Sequence, residues 1–465
     1  MSIAEVLETP LHRLPVVPPR PDYAPPGMSM FGRIAQMRRS AIGTWGERAY
    51  REDIVKSKFL GRNSFTVNAP DAIKHVLIDN YENYDRTHVG KRVLRPILGE
   101  EGLLLAHGKA WKHQRRTLAP PFSPRAVAML VPHMLAATDD MVGELAGKCN
   151  GGPADLREAM QRLALDIAGR TMFSFSLEKH GPTLRRFVNF YAEHLASPHF
   201  LDVILPLNWP SPRDFKRAKF RREWTQFLNL LITERRALGA SESAPRDLFD
   251  LMVAARDPET GVAFSDTQLA DQVATMILAG HETTATALFW SLYLLSLDRN
   301  AQEELAAEAR ANGAHQRREL DVTKLKFTRA VLDEAMRLYP PAYLIARAAL
   351  GPDTVAGQSI AKRDVIMIAP WLLHRHEKLW ENPHAFMPQR FLPPSPQPDR
   401  FAYLPFGVGP RVCIGAQFAL TEATLALAKI LANYRVEIIS GQPVMPIGIV
   451  VTAPDHSPDF RITRR

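Results

Sequence analysis

The stretch Phe406-Gly407-Val408-Gly409-Pro410-Arg411-Val412-Cys413-Ile414-Gly415 decides how this chain is read. It is a glycine-rich loop that delivers one cysteine to the start of a helix expected from Ile414 to Leu431. A helix N-terminus presents unpaired N–H groups and the positive end of the helix dipole. Both favour a thiolate, so the loop predicts a lowered pKa for Cys413. A lone thiolate in that setting suits a nucleophile or an axial metal ligand. Gly409 and Gly415 have no side chain to hold off a flat cofactor. Arg411, two residues before the sulfur, is placed to meet an anionic group on that cofactor. The plainer alternative is a buried, inert cysteine after a tight turn.

Cys149 is the only other cysteine among 465 residues. Two cysteines make no disulfide framework, which points to a reducing, cytoplasmic compartment. Hydrophobic residues make up 46% and charged residues 23%, which excludes collagen-like, low-complexity and disordered classes. Lys and Arg outnumber Asp and Glu by 58 to 49, a net charge of +9. Over this length the excess is mild and fits a solvated surface as well as an anionic membrane, nucleic acid or an acidic protein. No run reaches the ~18 consecutive apolar residues of a membrane span, and residues 1–26 lack the apolar core of a signal peptide.

Outward from the cysteine loop, the chain reads as mainly α with a smaller β part. Residues 14–26 are proline-rich, so they are expected to be extended and superficial. Strands are expected at 49–51 and 58–67, with Asn63-Ser64 as a hairpin turn. Helical patterns cover 126–148, 155–175, 183–196, 213–239 and 264–298, with Gly and Pro breakers between them. A further helix over 325–338 stops at Pro340-Pro341, and strand-like pieces follow at 355–357 and 365–369. Residues 381–412 read as irregular. With no internal repeat and no linker, the expectation is one domain over 27–465 after the N-terminal segment 1–26.

The 264–298 helix is the most distinctive. Ser265 and Gln268 form a capping-box pattern, and Leu269, Val273, Met276, Gly280, Thr283 and Ala287 recur at steps of four and three on one face. Ala279 and Gly280 leave room for a flat group on that face. Glu282 lies about 200° around the helix from Gly280, at 100° per residue, and points away from it. Glu334 and Arg337, three apart on a helix, can pair; taken alone they read as an exposed ion pair. Other chemistries fail on the residues. His281-Glu282 begins a zinc-protease pattern that Ala285 breaks, and Gly27-Met28-Ser29 lacks the closing glycine of a nucleophile elbow. No phosphate-loop lysine or dinucleotide fingerprint is present.

Four motifs, in order and context, resemble those of the cytochrome P-450 family, the haem-thiolate monooxygenases, of the soluble bacterial kind. The cysteine loop matches F-x-x-G-x-R-x-C-x-G at every fixed position. Glu334-Ala335-Met336-Arg337 matches E-x-x-R, and Pro388-Gln389-Arg390-Phe391 matches P-x-R-F. Ala279-Gly280-His281-Glu282-Thr283-Thr284 is similar to the oxygen-activation segment A-G-x-[D/E]-T-T. The resemblance spans about 25–460. It implies the cytochrome P-450 fold and haem b (iron protoporphyrin IX), with Cys413 as the iron ligand and Gly280, Phe406 and Arg411 against the cofactor. Trp111 and Arg115 fit W-x-x-x-R and would reach the haem propionates; Arg347 would join them, with His107 a weaker candidate. Glu334, Arg337 and Arg390 would form a buried structural triad. Glu282 and Thr283 would be the catalytic pair that delivers protons. His281, at a position free to vary, would be structural or solvent-facing.

The activity so implied inserts one oxygen atom of O2 into a lipophilic small molecule. The chain ends at Arg465 with no flavin or iron–sulfur segment, so electrons from NAD(P)H are expected through separate proteins: a ferredoxin- or flavodoxin-type donor and its reductase. The basic run Lys109, Lys112, His113, Arg115 and Arg116 is the expected docking patch for that donor. No nucleic-acid partner and no membrane span are expected. Pocket residues are expected at 87–105, 198–207, 276–284 and 342–346, among them Ile97, Leu98, Leu103, Phe200, Met276, Leu344 and Ile345. Other haem-thiolate chemistry (peroxygenase, dehydratase, isomerase) and a non-catalytic haem sensor stand as alternatives.

Overall fold

The structure, a computed structural model, describes residues 15–59, 62–149, 152–174, 179–196, 201–202, 205–207, 209–239, 245–317 and 320–465. The helices in chain order are α1 Met30–Arg39, α2 Pro70–Lys74, α3 His88–Leu98, α4 Gly108–Leu118, α5 Pro124–Ala146, α6 Leu156–Phe173 and α7 Gly181–His194. They continue with α8 Pro212–Ala237, α9 Leu248–Ala254, α10 Asp266–Leu297, α11 Arg299–Ala311, α12 Lys326–Leu338, α13 Pro370–Leu373 and α14 Ala416–Asn433. Their starts follow capping chemistry. Thr87 opens α3 by accepting from Gly90 N–H, and Ser123 opens α5 with Pro124 in the first turn. Ser265 and Gln268 cap α10 reciprocally, at 3.2 and 3.0 Å.

At 1.5 Å per residue α10 is about 48 Å long. Every residue from 284 to 295 on it is buried, because α6, α12 and α14 pack around it. Trp290, stacked 3.9 Å from Tyr339, donates its indole N–H to the Thr452 carbonyl and ties α10 to the C-terminal strands.

The main β part has strands β1 Ile54–Phe59, β2 Arg62–Val67, β3 Tyr84–Asp85, β4 Ile345–Ala349 and β5 Val365–Ile368. They form a five-stranded sheet in the order β1-β2-β5-β4-β3. Among the described residues only β2 and β5 pair in parallel. Around it a satellite core of Phe65, Val76, Tyr84, Ile366 and Leu404 forms beside the main helical core. A second sheet joins residues Ala154–Asp155, Tyr434–Ile438 and Asp459–Arg464.

Three expectations are corrected. Residues 47–50 form a 3₁₀ turn rather than a strand. Asn63 and Ser64 lie inside β2, opposite Lys58 and Ser57. Ala356 and Gly357, with φ of +47° and +74°, are the two-residue turn of a hairpin between Asp353–Val355 and Gln358–Ile360, so of 355–357 only Val355 is in a strand; positive φ at both positions is what such a turn demands. The described part of the proline-rich segment lies at the surface without helix or strand, as expected, with Pro18 alone buried; two hydrogen bonds tie it to the body, Val16 O accepting from Phe386 N and Pro19 O from Tyr339 Oη.

Candidate active site

The cysteine loop is closed by its own backbone. Cys413 N–H donates to Phe406 O at 2.9 Å and Val412 N–H to Gly409 O at 3.0 Å. Gly407 and Gly409 take φ of +70° and +79°. A Cβ on Gly409 would sit 2.3 Å from Leu77 O, so this glycine serves a backbone crossing rather than the cofactor approach expected of it. Gly415, with an ordinary φ of −88°, precedes α14. Nothing closer than 3.8 Å crowds its Cβ position.

Cys413 exposes surface, yet its surroundings are protein. Its thiol pKa is pushed up by burial, against the opposing pulls of the Gly415 N–H and the Arg115 guanidinium. The surface it exposes is therefore the wall of an internal space. This corrects the expected lowered pKa: the helix-end donors are present, but loss of water outweighs them.

α10 supplies the neighbouring wall. In the middle of this otherwise packed helix Ala279 is exposed, and a Cβ on Gly280 would meet nothing within 4 Å. Thr283 Oγ1 donates back to Ala279 O at 2.6 Å. One residue on, Thr284 meets Glu422 of α14, a buried carboxyl whose pKa burial raises to about 8. The helix that follows Cys413 thus touches α10 beside Thr283. Glu282 turns the other way and accepts from Gln161 Nε2 of α6 at 3.3 Å. His281 is 1% exposed, and neither ring nitrogen has a hydrogen-bond partner. It does not face solvent.

Glu334, Arg337 and Arg390 are brought together. Arg337 Nε and Nη2 donate to the Glu334 carboxylate at 2.6 and 2.8 Å, and Arg390 Nε donates at 3.1 Å. The Met387 N–H adds a fourth donor at 2.8 Å. Arg337 also donates to the carbonyls of His374, Pro383 and Ala385. His374 in turn accepts the Leu404 N–H on Nε2 at 2.8 Å, two residues before Phe406. The triad is wired to the cysteine loop through this buried histidine, whose pKa burial depresses to about 3.

Arg347 and Arg411 gather with Arg86, which sequence reasoning missed. Burial and mutual repulsion lower the pKa of Arg86 and Arg347. Asp85 is the carboxylate beside them, and its own partner is Lys91 at 2.5 Å. Arg86 Nε is buried without a partner. Arg411 lies 4.5 Å over the buried Trp111 ring and donates to Ala106 O. Arg115 donates to Val412 O at 2.9 Å, beside the cysteine, and His107 pairs with Asp85 at 3.1 Å. No local pattern marks Arg86. Glu422 was legible in principle, as a carboxylate in the mostly apolar helical stretch 418–432, buried from Thr421 on.

The basic run on α4 is mostly neutralised. Lys112 pairs with Glu82, while His113 and Arg116 pair with Asp257. Lys109 and Arg115, the other two members of the run, have no carboxylate partner among the described residues. The expected pocket is met in part. A cleft of about 1380 Å³ is lined by Thr87, Leu205, Leu207, Tyr343 and Leu344, from three of the four expected segments, together with Ile34 and Met37 of α1, and reaches Arg86. Ile97 and Leu98 are instead fully buried in the core, and Phe200 lies outside the described residues. The lining includes neither Cys413 nor Thr283.

A flat, dianionic group with a metal at its centre fits these residues: a bare patch on α10, a thiol opening on an internal space, and guanidiniums one of which has an orphaned N–H. The comparisons agree. The family model Cytochrome P450 matches residues 21–456. Cyclooctatin synthase of Streptomyces melanosporofaciens is 32% identical over 92% of both chains. Carotene epsilon-monooxygenase of Arabidopsis thaliana is 30% identical over 82% of this chain and 74% of its own. The crystal structure of a cytochrome P450DA heme domain superposes with a TM-score of 0.78, covering 97% of this chain and 99% of its own at 24% identity, and shows the fold. The chain belongs to the cytochrome P450 family and is a haem-thiolate monooxygenase carrying haem b.

Proposed function

We propose that this enzyme inserts one oxygen atom of O2 into a lipophilic, isoprenoid-like molecule, with Cys413 as the protein ligand to iron and a ferredoxin- or flavodoxin-type protein and its reductase relaying electrons from NAD(P)H. The observation that carries the reading is the paired opening: Cys413 exposed on an internal wall, and the bare Ala279–Gly280–Thr283 patch of the adjoining α10. Bound there, haem would supply the oxygen chemistry, which a thiolate ligand favours. Arg86, Arg115, Arg347 and Arg411 would hold its carboxylates, with Trp111 behind Arg411. The triad keeps the cysteine loop in shape through His374. Thr283 Oγ1–H can turn from Ala279 O to donate to a water and so hold that water in place for proton transfer. Glu282, 18% exposed in its side chain, accepts protons from outside and passes them toward Thr283.

An isoprenoid-like substrate is supported by relatives whose names specify carotene and cyclooctat-9-en-7-ol, and by the apolar lining of the cleft. Titrating the haem-loaded protein with cyclic diterpene alcohols, carotenoids and long-chain fatty acids should give a substrate-type spin shift with the first two classes. Turnover under isotopically labelled O2 should then place one labelled atom in the product. Product without label would overturn the monooxygenase assignment of this site.

A further inference from the structure

One face of the main sheet forms a wall of the cleft. Side chains alternate between faces along a strand, and Arg62, Ser64 and Thr66 of β2 line the cleft at steps of two. Ser64 and Thr66 pair with Val365 and Met367 of β5, which also line it, and Val365 pairs in turn with Ala348 of β4. Two residues before Val365 comes Arg363, a further lining residue. The register therefore sets Arg62 and Arg363 side by side at one end of this face.

Two like charges side by side on a sheet repel. Asp364 does not relieve them: it is buried and accepts from Asn63 Nδ2 and the Ala361 N–H at 3.4 and 2.9 Å. Among the described residues neither guanidinium has a carboxylate within ion-pair distance. Arg363 also takes a φ of +74°, a conformation that Gly or Asn adopts with less strain. Among the described residues the carboxylates in the lining, Glu47 and Asp85, are already taken by Arg51 and Lys91, at 2.8 and 2.5 Å. Arg33 and Arg38 of α1 line the same cleft, also without a carboxylate. The cleft thus carries uncompensated positive charge.

Away from Arg363 the face is apolar. At about 3.3 Å per residue, Met367 lies about 13 Å along it. Ile345 pairs with Ile368, so Leu344 continues the lining past Met367. Ile345 Cδ1 is 3.8 Å from the Cβ position of Gly407 in the cysteine loop. One end of the face therefore meets the haem site, and the two arginines mark the other.

We propose that the cleft selects an isoprenoid-like acid, its carboxylate held by Arg62 and Arg363 and its apolar body laid along Val365 and Met367 toward the haem site. Guanidinium forks match a carboxylate with two parallel hydrogen bonds. Ser57 and Ser64, whose Oγ atoms lie 2.7 Å apart, line the cleft beside them and offer further donors. A few charged groups at one place in an apolar pocket fix the orientation of a ligand. The isoprenoid body rests on the proposed function; the anionic head rests on the cleft.

The test is calorimetric titration of the haem-loaded protein with a cyclic diterpenoid acid, its methyl ester and the corresponding alcohol. The acid should bind about tenfold more tightly than either neutral compound, and high salt should erase most of that preference. The double variant Arg62→Glu, Arg363→Glu should abolish the preference and leave ester binding unchanged. Lys326→Glu reverses an exposed charge on α12, outside the cleft lining, and should leave the preference intact. Equal binding of acid and ester by the parent, or a preference that survives the double variant, would overturn the proposal. If none of the three compounds binds, the isoprenoid reading falls and this proposal with it. If ester and alcohol bind and turn over while the acid gains nothing, this proposal alone falls. The reduced, CO-bound spectrum of each variant reports its fold separately.

Discussion

Thr283 sits on a helix with no break from Asp266 to Leu297, its hydroxyl bonded to the backbone one turn back. That bond leaves Thr283 able to turn its proton to a water instead, and Glu282, turned toward Gln161, is a route inward rather than a ligand. Thr283→Ala should leave haem content and substrate binding unchanged. Product formed per NAD(P)H oxidised should fall several-fold, with a matching rise in hydrogen peroxide. Unchanged coupling would move the proton route elsewhere. At this scale the residues in tight motifs were readable, because Gly407, Arg411, Cys413, Glu334 and Arg337 each have a local reason for their spacing. Arg86 was not readable, since it is a side chain after a two-residue strand whose partners come from positions 347 and 411. The raised thiol pKa was also beyond reach: a helix start is visible in sequence, but the burial that outweighs it is tertiary.

Between elements, the Glu334 carboxylate is the joint. It takes four donors, two from Arg337 of its own helix α12 and two from the 387–390 segment, while fully buried. Glu334→Ala leaves two cations without their partner and should cost about 3–5 kcal/mol, read as loss of folded, haem-loaded protein on expression. A variant of normal stability in urea would show the joint to be dispensable. Glu422 makes a contrary prediction at the α10–α14 contact. Its folded pKa of about 8 lies above the ordinary carboxyl value of 4.5. The folded state therefore keeps a proton that the unfolded chain releases, and stability falls as pH rises from about 4.5 to 8. Glu422→Gln should lack this loss, so its stability relative to the parent should climb across that window in urea titrations. A pH-independent difference would mean that Glu422 is ionised in the fold. The long helices were legible from periodicity and breakers. The hairpins were not, since Asn63-Ser64 has turn chemistry but the pairing with β1 puts it in the strand.

Over the whole molecule, depressed histidines govern the acid side. His374 and His384 titrate near 3 because burial disfavours their charged forms, and His281 and His376 are lowered for the same reason. Each binds its proton in the unfolded chain below about 6.5 but not in the fold, so stability is lost as pH falls from there. The limit is about 1.4 kcal/mol per pH unit for each proton. Thermal midpoints should drop between pH 7 and 5, and His374→Gln, though less stable at pH 7, should show a shallower slope. An unaltered slope would place the proton uptake elsewhere. The mainly α architecture with a smaller sheet was legible from composition and breakers. Where the cleft opens was not, because it is set by how α1, the sheet and the 205–209 segment meet.

The central claim is that Cys413, and no other protein group, gives the haem its thiolate. The most direct measurement is the absorbance of the reduced, CO-bound protein. The parent and Cys149→Ala should both show the long-wavelength band of thiolate ligation, and Cys413→His should keep some haem but lose that band. A Cys413→His protein that retains the band, or a Cys149→Ala protein that loses it, would contradict the account.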